Sequence, residues 1–143
     1  HLQVPERTEG GDWNLCSMGH AVSRDLLHWK ELPPVLSPSE VVRSDDNRQA
    51  WTGCDVPCNG QINLFYTMRG SASEGRIQAI GLARSADGIH FERYAGNPVL
   101  KPDPRWYCTA AAPVPGVVDC RDMMIIPAPD RPGCPAPTRG IPP

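Results

Sequence analysis

Two pairs of side chains in this chain could carry acid–base chemistry, because each combines an aspartate with a histidine three residues later. Both pairs belong to an internal repeat: the stretch MGHAVSRDLLHWKEL, which begins at Met18, returns as IGLARSADGIHFERY from Ile80, about 62 residues later. Residues that both copies keep should do a job common to the repeats, so we expect turn and packing roles, with the aspartates at turns. These residues are Asp25, His28 and Trp29 in the first copy and Asp87, His90 and Phe91 in the second.

The six cysteines could form a disulfide framework or a metal site. Only Cys54 and Cys58 lie close together, the second close pair of a zinc ribbon or finger is missing, and the four histidines are scattered. We therefore expect no metal and no cofactor. The simplest expectation is that the cysteines are small hydrophobic side chains buried in strands.

The elements that would position these residues are short strands. Between residues 51 and 94 the chain has four strand-like runs, separated by turn signals that include the hairpin dipeptide Asn59-Gly60 and a second tight turn at Asp87-Gly88. Consecutive antiparallel strands of this kind form a four-stranded meander. The predicted strands span residues 51–56, 61–68, 77–85 and 89–94.

Outside the meander, the first copy of the repeat predicts a hairpin with strands at 13–23 and 27–32, which prolines should end. We expect residues 1–12 to be a loop and residues 118–126 to be the first strand of a following unit. Residues 127–143 are rich in proline, which cannot donate ladder hydrogen bonds, so we expect an irregular tail.

Repeated four-stranded meanders arranged radially are the blades of a β-propeller. A β-sandwich also has short strands at this spacing, but it gives no reason for the repeat. The sequence therefore predicts an all-β fold and a partial β-propeller over residues 1–126. It would comprise the end of one blade, a complete blade at 51–94 and the start of a third.

Charge and hydropathy give no indication of a nucleic-acid or membrane partner. The formal net charge is −2 and the pI is about 6.1, so the chain has no excess of positive charge that would attract polyanions. No apolar run approaches the roughly 20 residues that a membrane-spanning helix needs. We expect neither nucleic acid nor a membrane as partner.

Several separate motifs resemble the catalytic domain of glycoside hydrolase family 32, the invertases, levanases and related fructan-degrading enzymes. They are MGHAVSRDLLHW followed by LPPVL, WTGC before the Asn-Gly hairpin and LFYT, IGLARSADGIHF followed by NPVL, and DCRD. The resemblance extends from about residue 13 to about residue 126. It implies a five-bladed β-propeller that hydrolyses β-fructofuranosidic bonds of sucrose or fructans with retention, with a carbohydrate substrate and no metal.

The resemblance also implies four site residues. Arg121-Asp122 matches the family's Arg-Asp-Pro motif, with Met123 in place of the proline, which implies that Asp122 stabilises the transition state and that Arg121 binds substrate. The WTG stretch at 51–53 matches the family's aromatic-Ser-Gly stretch, which implies sugar contacts by Trp51 and Thr52. From the residues alone, simpler interpretations remain: Asp122 is a strand-start carboxylate paired with Arg121 or solvent, and Trp51 anchors the blade core.

Two members of the family's catalytic set, the nucleophile and the acid/base, have no match in this chain. A retaining glycosidase needs two carboxyl groups about 5 to 5.5 Å apart, and Asp122 alone cannot fill both roles. We therefore expect the chain to be inactive by itself. The main alternative is a non-catalytic carbohydrate-binding propeller module, and a third is a structural domain held by zinc or disulfides.

Overall fold

The computed structural model describes residues 2–6, 15–41, 44–71, 77–107 and 118–126. Within these residues the regular elements are seven β-strands. No helix in the described part is long and apolar enough to cross a membrane. The strands are β1 Leu2–Glu6, β2 Leu15–Ser23, β3 Trp29–Leu36, β4 Gln49–Cys58, β5 Gln61–Arg69, β6 Gln78–Ser85 and β7 Glu92–Arg93. All strand pairs are antiparallel except for a single parallel contact between β2 and β4.

All four strands predicted between residues 51 and 94 are present as the meander β4-β5-β6-β7. β4 begins two residues earlier than predicted, at Gln49, and β7 contains only two residues. A bulge interrupts the register of β4 and β5 between Trp51 and Gly53. Gly53 is required there, because a Cβ at this position would lie 1.7 Å from the carbonyl oxygen of Phe65.

The predicted hairpin is also present, as β2 and β3. β1 pairs with β2 where a loop was expected, so that prediction is wrong for Leu2–Glu6. β3 continues to Leu36 through Pro33 and Pro34, which were expected to end it. Both β1 and β3 have β2 as their only strand partner in the described part of the chain, and edge strands tolerate proline because one side needs no donor.

The strand predicted over 118–126 is not a regular element. Val118 forms one isolated parallel bridge with Ile77, and residues 119–126 join no ladder among the described residues. An extended segment becomes a strand only when a neighbour supplies its hydrogen bonds, which pattern alone cannot reveal. The predicted tail at 127–143 lies outside the described residues.

The core contains side chains from the hairpin of β2 and β3 and from the meander β4-β5-β6-β7. Met18 of β2 and Leu36 of β3 pack in one cluster with Leu64, Tyr66 and other residues of that meander. Beside the core, the buried Asp46 carboxylate accepts hydrogen bonds from the Tyr66 hydroxyl at 2.9 Å and from Nε of Arg93 at 2.7 Å. This network ties the segment before β4 to β5 and β7, and burial raises the pKa of Tyr66.

Both copies of the repeated turn have the same hydrogen bonds, which confirms the predicted turn role of the aspartates. Asp25 Oδ1 accepts the backbone N–H groups of Leu27 and His28 at 2.9 and 2.8 Å, and Asp87 Oδ1 accepts the equivalent pair at 2.8 Å each. Each carboxylate also contacts its histidine Nδ1, at 2.6 and 2.7 Å. Hydrogen bonds from the histidine side chain and backbone lower the pKa of Asp25 and, in the same way, of Asp87.

The packing role predicted for the repeated residues is correct at one position. Phe91 packs against the core cluster, as expected. Trp29, its counterpart in the first copy, is 58% exposed, and the His28 and His90 side chains are mostly exposed as well. The two histidines therefore take the turn role that was predicted, through their contacts with the aspartates. Packing is wrong for Trp29, since a repeat conserves the local turn but not the surroundings of each copy.

The described cysteines differ in environment. Cys16 and Cys120 are buried and free, Cys54 is half-buried and free, and Cys58 is disulfide-bonded. The expectation of small hydrophobic side chains buried in strands therefore holds for Cys16, whereas Cys120 is buried outside the strands. The expectation is wrong for Cys58. Among the described residues there is no group of three histidine, cysteine or acidic side chains placed to hold a metal ion.

Candidate functional site

The predicted site residues converge where the bulge of β4 meets β5 and the segment 118–122. The bulge places Thr52 out of the regular register, next to Thr67 of β5. The Thr67 hydroxyl donates a hydrogen bond to the carbonyl oxygen of Thr52 at 2.9 Å. The two threonines therefore form a fixed pair, because a backbone contact holds one hydroxyl while the other points out of the strand.

Asp122 binds to both threonines although it lies 70 residues from Thr52 in the chain. The Thr52 hydroxyl donates to Asp122 Oδ1, and the backbone N–H of Asp122 donates to the Thr67 hydroxyl at 3.2 Å. Asp122 has a positive φ of 57°, which a non-glycine residue rarely adopts. Its backbone is thus turned so that both the amide and the carboxylate face the threonine pair.

Arg121 lies beside Asp122 but has a closer partner. Its guanidinium forms an ion pair with Asp119, whereas its Nε is 3.5 Å from Asp122 Oδ2. Asp122 therefore does pair with Arg121, but each of the two residues has a closer partner, Thr52 and Asp119 respectively. The Asp122 side chain is 59% exposed and retains acceptor capacity toward solvent or a ligand.

Contacts with β6 hold the segment that carries Asp122. The backbone N–H of Gln78 donates to the carbonyl oxygen of Val118 at 3.2 Å, and the Gln78 side-chain oxygen accepts the N–H of Cys120 at 3.1 Å. Gln78 is buried, so this side chain replaces a strand neighbour for the segment. These bonds explain how a segment without ladder pairing can hold Asp122 in place.

Trp51, the fourth predicted residue, precedes Thr52 and is half-buried. The guanidinium of Arg69 lies over its ring at 5.6 Å from the ring centre. Burial raises the pKa of the Cys16 thiol in β2, and the nearby side chain of Trp51 opposes that shift. Trp51 thus lies close to residues of both β5 and β2, which agrees with an anchoring role and leaves the predicted sugar contact untested.

Of the four predicted site residues, the structure brings Thr52, Asp122 and Arg121 into contact, with Trp51 adjacent in the chain. Sequence reasoning missed Thr67, Gln78 and Arg69. Thr67 lies within the LFYT motif, and Arg69 lies two residues later, where the alternation of a strand places it on the same face. The period of two along β5 places Arg69 on the same face as Thr67, but it does not indicate which residues either side chain contacts.

The arrangement is suited to a polyhydroxylated ligand. A carboxylate accepts hydrogen bonds from ligand hydroxyls, a guanidinium donates them, and an indole ring packs on apolar ligand surface. Asp122 supplies the carboxylate, Thr52 and Thr67 hold it, and Arg121 supplies the cation. One aligned carboxylate can stabilise positive charge on a ligand but cannot by itself perform double-displacement chemistry at a glycosidic bond.

Comparisons with known proteins identify relatives of this chain. The model of the glycosyl hydrolases family 32 N-terminal domain matches residues 5–119, so Arg121 and Asp122 lie just beyond the matched part. A sucrose-6-phosphate hydrolase from Zymomonas mobilis is 40% identical over 85 residues, which are 57% of this chain and 16% of that protein. An acid β-fructofuranosidase from Vigna radiata is 37% identical over 110 residues, 73% of this chain and again 16% of the relative.

A solved structure is similar to this chain in fold. The family 32 β-fructofuranosidase of Bombyx mori, determined in complex with sucrose, matches with a TM-score of 0.50 and 30% identity. The match covers 63% of this chain and 18% of the other. The chain thus spans about one sixth of the length of these relatives.

Proposed function

Because this chain belongs to glycosyl hydrolase family 32, we propose that it contributes part of the sugar site of a β-fructofuranosidase, with Asp122 as the transition-state stabiliser. The fold is accordingly part of an all-β propeller, and the family is one of hydrolases. The relatives that support the substrate class are a sucrose-6-phosphate hydrolase, an acid β-fructofuranosidase and an enzyme solved with sucrose. We propose a fructoside as the ligand of this chain.

One observation carries the proposal: Asp122 is held by two threonines from different strands. Thr52 binds the carboxylate and Thr67 binds the backbone amide, so both ends of the residue have a fixed partner. A side chain that is 59% exposed gains little stability from such contacts, and a function in binding explains them better. Fixed acceptors are what binding of a sugar requires, since pre-organisation lowers the entropic cost of association.

The proposed chemistry is hydrolysis with retention through a covalent fructosyl intermediate. In that reaction positive charge develops on the fructosyl ring, and a carboxylate beside the ring stabilises it. Asp122 would accept hydrogen bonds from ring hydroxyls throughout, and Arg121 would donate to the same ligand. Trp51 and Thr52 would contribute an apolar surface and a hydroxyl.

We propose further that this chain by itself binds sugar without cleaving it. The bound sugar would meet one carboxylate in the described site, and the second carboxyl group that double displacement needs has no counterpart there. Binding without cleavage is also what a non-catalytic carbohydrate-binding module would show. In a longer protein that contains this chain, fructoside hydrolysis would favour the enzyme and glycan binding without hydrolysis would favour the binding module.

The test is a titration of the purified chain with fructose and sucrose by calorimetry, combined with an assay for sugar released from sucrose. We expect weak but saturable binding, no hydrolysis, and a loss of affinity of at least tenfold in Asp122→Asn. The matched control is Asp119→Asn, which removes a neighbouring carboxylate that contacts Arg121. Equal affinity in wild type and Asp122→Asn would refute the proposed binding role, and turnover dependent on Asp122 would refute the proposed lack of cleavage.

A further inference from the structure

Arg69 is held in a fixed position against the indole ring of Trp51. Its guanidinium carbon is 5.6 Å from the ring centre, within the range of a cation–π contact. Its Nη1 donates a hydrogen bond to the side-chain oxygen of Gln49 at 3.1 Å. Gln49 is buried and is the ladder partner of Arg69 across β4 and β5, so the anchor of the guanidinium is itself immobile.

The contact uses properties that are specific to arginine. A guanidinium is planar, so it can lie with its face on a ring while its edge donates hydrogen bonds in a fixed direction. A lysine ammonium has the same charge but no plane to align with the indole. The bond to Gln49 thus sets the orientation of Arg69, and Arg69 sets the plane of the Trp51 ring.

The backbone beside Trp51 is fixed as well. Trp51 is the ladder partner of Thr67, whose hydroxyl donates to the carbonyl oxygen of Thr52 at 2.9 Å, while Arg69 lies over the ring face. An aromatic ring that is held in this way loses little freedom when a ligand binds, which increases affinity. The next residue, Thr52, already contacts Asp122.

We infer that Arg69 is a positioning residue: it holds Trp51 as a rigid platform for the apolar face of a sugar that Asp122 and Thr52 bind through its hydroxyls. The identity of the ligand rests on the proposed function, whereas the hold on Trp51 does not. Arg69 therefore acts on affinity through Trp51, without a contact of its own to the sugar being required.

The chain contains a matched control for this contact. Arg84 of β6 lies over the ring of Tyr94 with a separation of 5.0 Å from the ring centre. Arg84 is exposed, and its Nε donates to the Asn63 side chain at 3.2 Å, so it too combines a ring face with an amide anchor. Neither Tyr94 nor Asn63 belongs to the site around Asp122.

The experiment follows the indole N–H signal of Trp51 in ¹⁵N-labelled full chain, assigned with Trp51→Phe, in wild type, Arg69→Met, Arg69→Lys and Arg84→Met. We expect Arg69→Met to shift and broaden this signal and to weaken fructose binding about fivefold, equal to about 1 kcal/mol. Arg69→Lys should recover only part of both effects. Arg84→Met should leave both unchanged.

An unchanged indole signal in Arg69→Met would refute the inference, and so would an equal change in Arg84→Met. If Arg69→Met does not fold, Arg69→Lys provides the comparison, and a wild-type signal there would refute the need for a planar cation. If wild type binds no fructose, the proposed function fails, while the indole signal still decides whether Arg69 holds Trp51.

Discussion

The repeated turn favours glycine at one position, where its two copies have different residues. Leu26 has a positive φ of 62°, and the equivalent residue of the second copy is Gly88, with a φ of 74°. The left-handed region costs an L-residue roughly 1 to 2 kcal/mol, whereas glycine costs roughly 0.5 to 1 kcal/mol through the flexibility of the unfolded chain. The Leu26 side chain is 75% exposed, so its removal loses little apolar burial.

We therefore expect Leu26→Gly to stabilise the chain by about 0.5 to 1 kcal/mol, which raises Tm by about 2 to 4 °C. Gly88→Leu should destabilise it by about 1 kcal/mol, since a Cβ there also lies 3.3 Å from the Ile62 side chain. Urea unfolding measures both changes. The control is Leu27→Gly, because Leu27 is equally exposed but is not among the positive-φ residues, so it should lose stability.

The result that would refute this reasoning is equal destabilisation by Leu26→Gly and Leu27→Gly. That outcome would mean that the positive φ of Leu26 causes no backbone strain. The two copies of the turn would then share a sequence pattern without sharing a backbone conformation. A destabilised Leu26→Gly combined with an unaffected Gly88→Leu would contradict the account of both turns.

Two further predictions concern charged groups. Arg93→Met leaves the buried Asp46 carboxylate without its cation and should lower the free energy of unfolding by about 3 kcal/mol. Arg105→Met, which removes an exposed side chain paired with the half-buried Asp103, should have little effect in the same urea experiment. The pKa values of Asp25 and Asp87 are lowered in the folded chain. The contribution of these carboxylates to the free energy of unfolding is therefore complete above about pH 4 and is lost as the pH falls below that value. Asp87→Asn should therefore be less stable than wild type at pH 6, and the difference should shrink toward pH 2; a constant difference would contradict the role of this carboxylate.

The sequence allowed the local features of the fold to be predicted well. The Asn-Gly dipeptide, the alternation of apolar residues and the repeat located the meander and both turns, because these features depend on neighbours in the chain. β1 was missed because residues 1–12 are polar and contain Gly10-Gly11, which is typical of a loop. The extension of β3 through Pro33 was missed because edge position is a property of the sheet and cannot be read from the strand itself.

The site was less accessible to sequence reasoning. Nothing in the local pattern places Asp122 beside Thr52, and only the family resemblance suggested a shared role for them. The supporting residues Thr67 and Gln78 act through single hydrogen bonds between remote segments, which leave no periodic signal. The positive φ of Asp122 likewise follows from these tertiary contacts and not from a local turn signal.

The most direct test of the central claim is to map where fructose contacts the chain. Titration of the ¹⁵N-labelled chain with fructose, followed by amide chemical shifts, should perturb Thr52, Thr67 and Asp122 first, with a common dissociation constant. Residues of the repeated turns, such as Asp25 and Asp87, should not respond. Saturable shifts at those turns without any at Asp122, or no shifts at all, would contradict the assignment of a sugar site to the junction of β4, β5 and the segment 118–122.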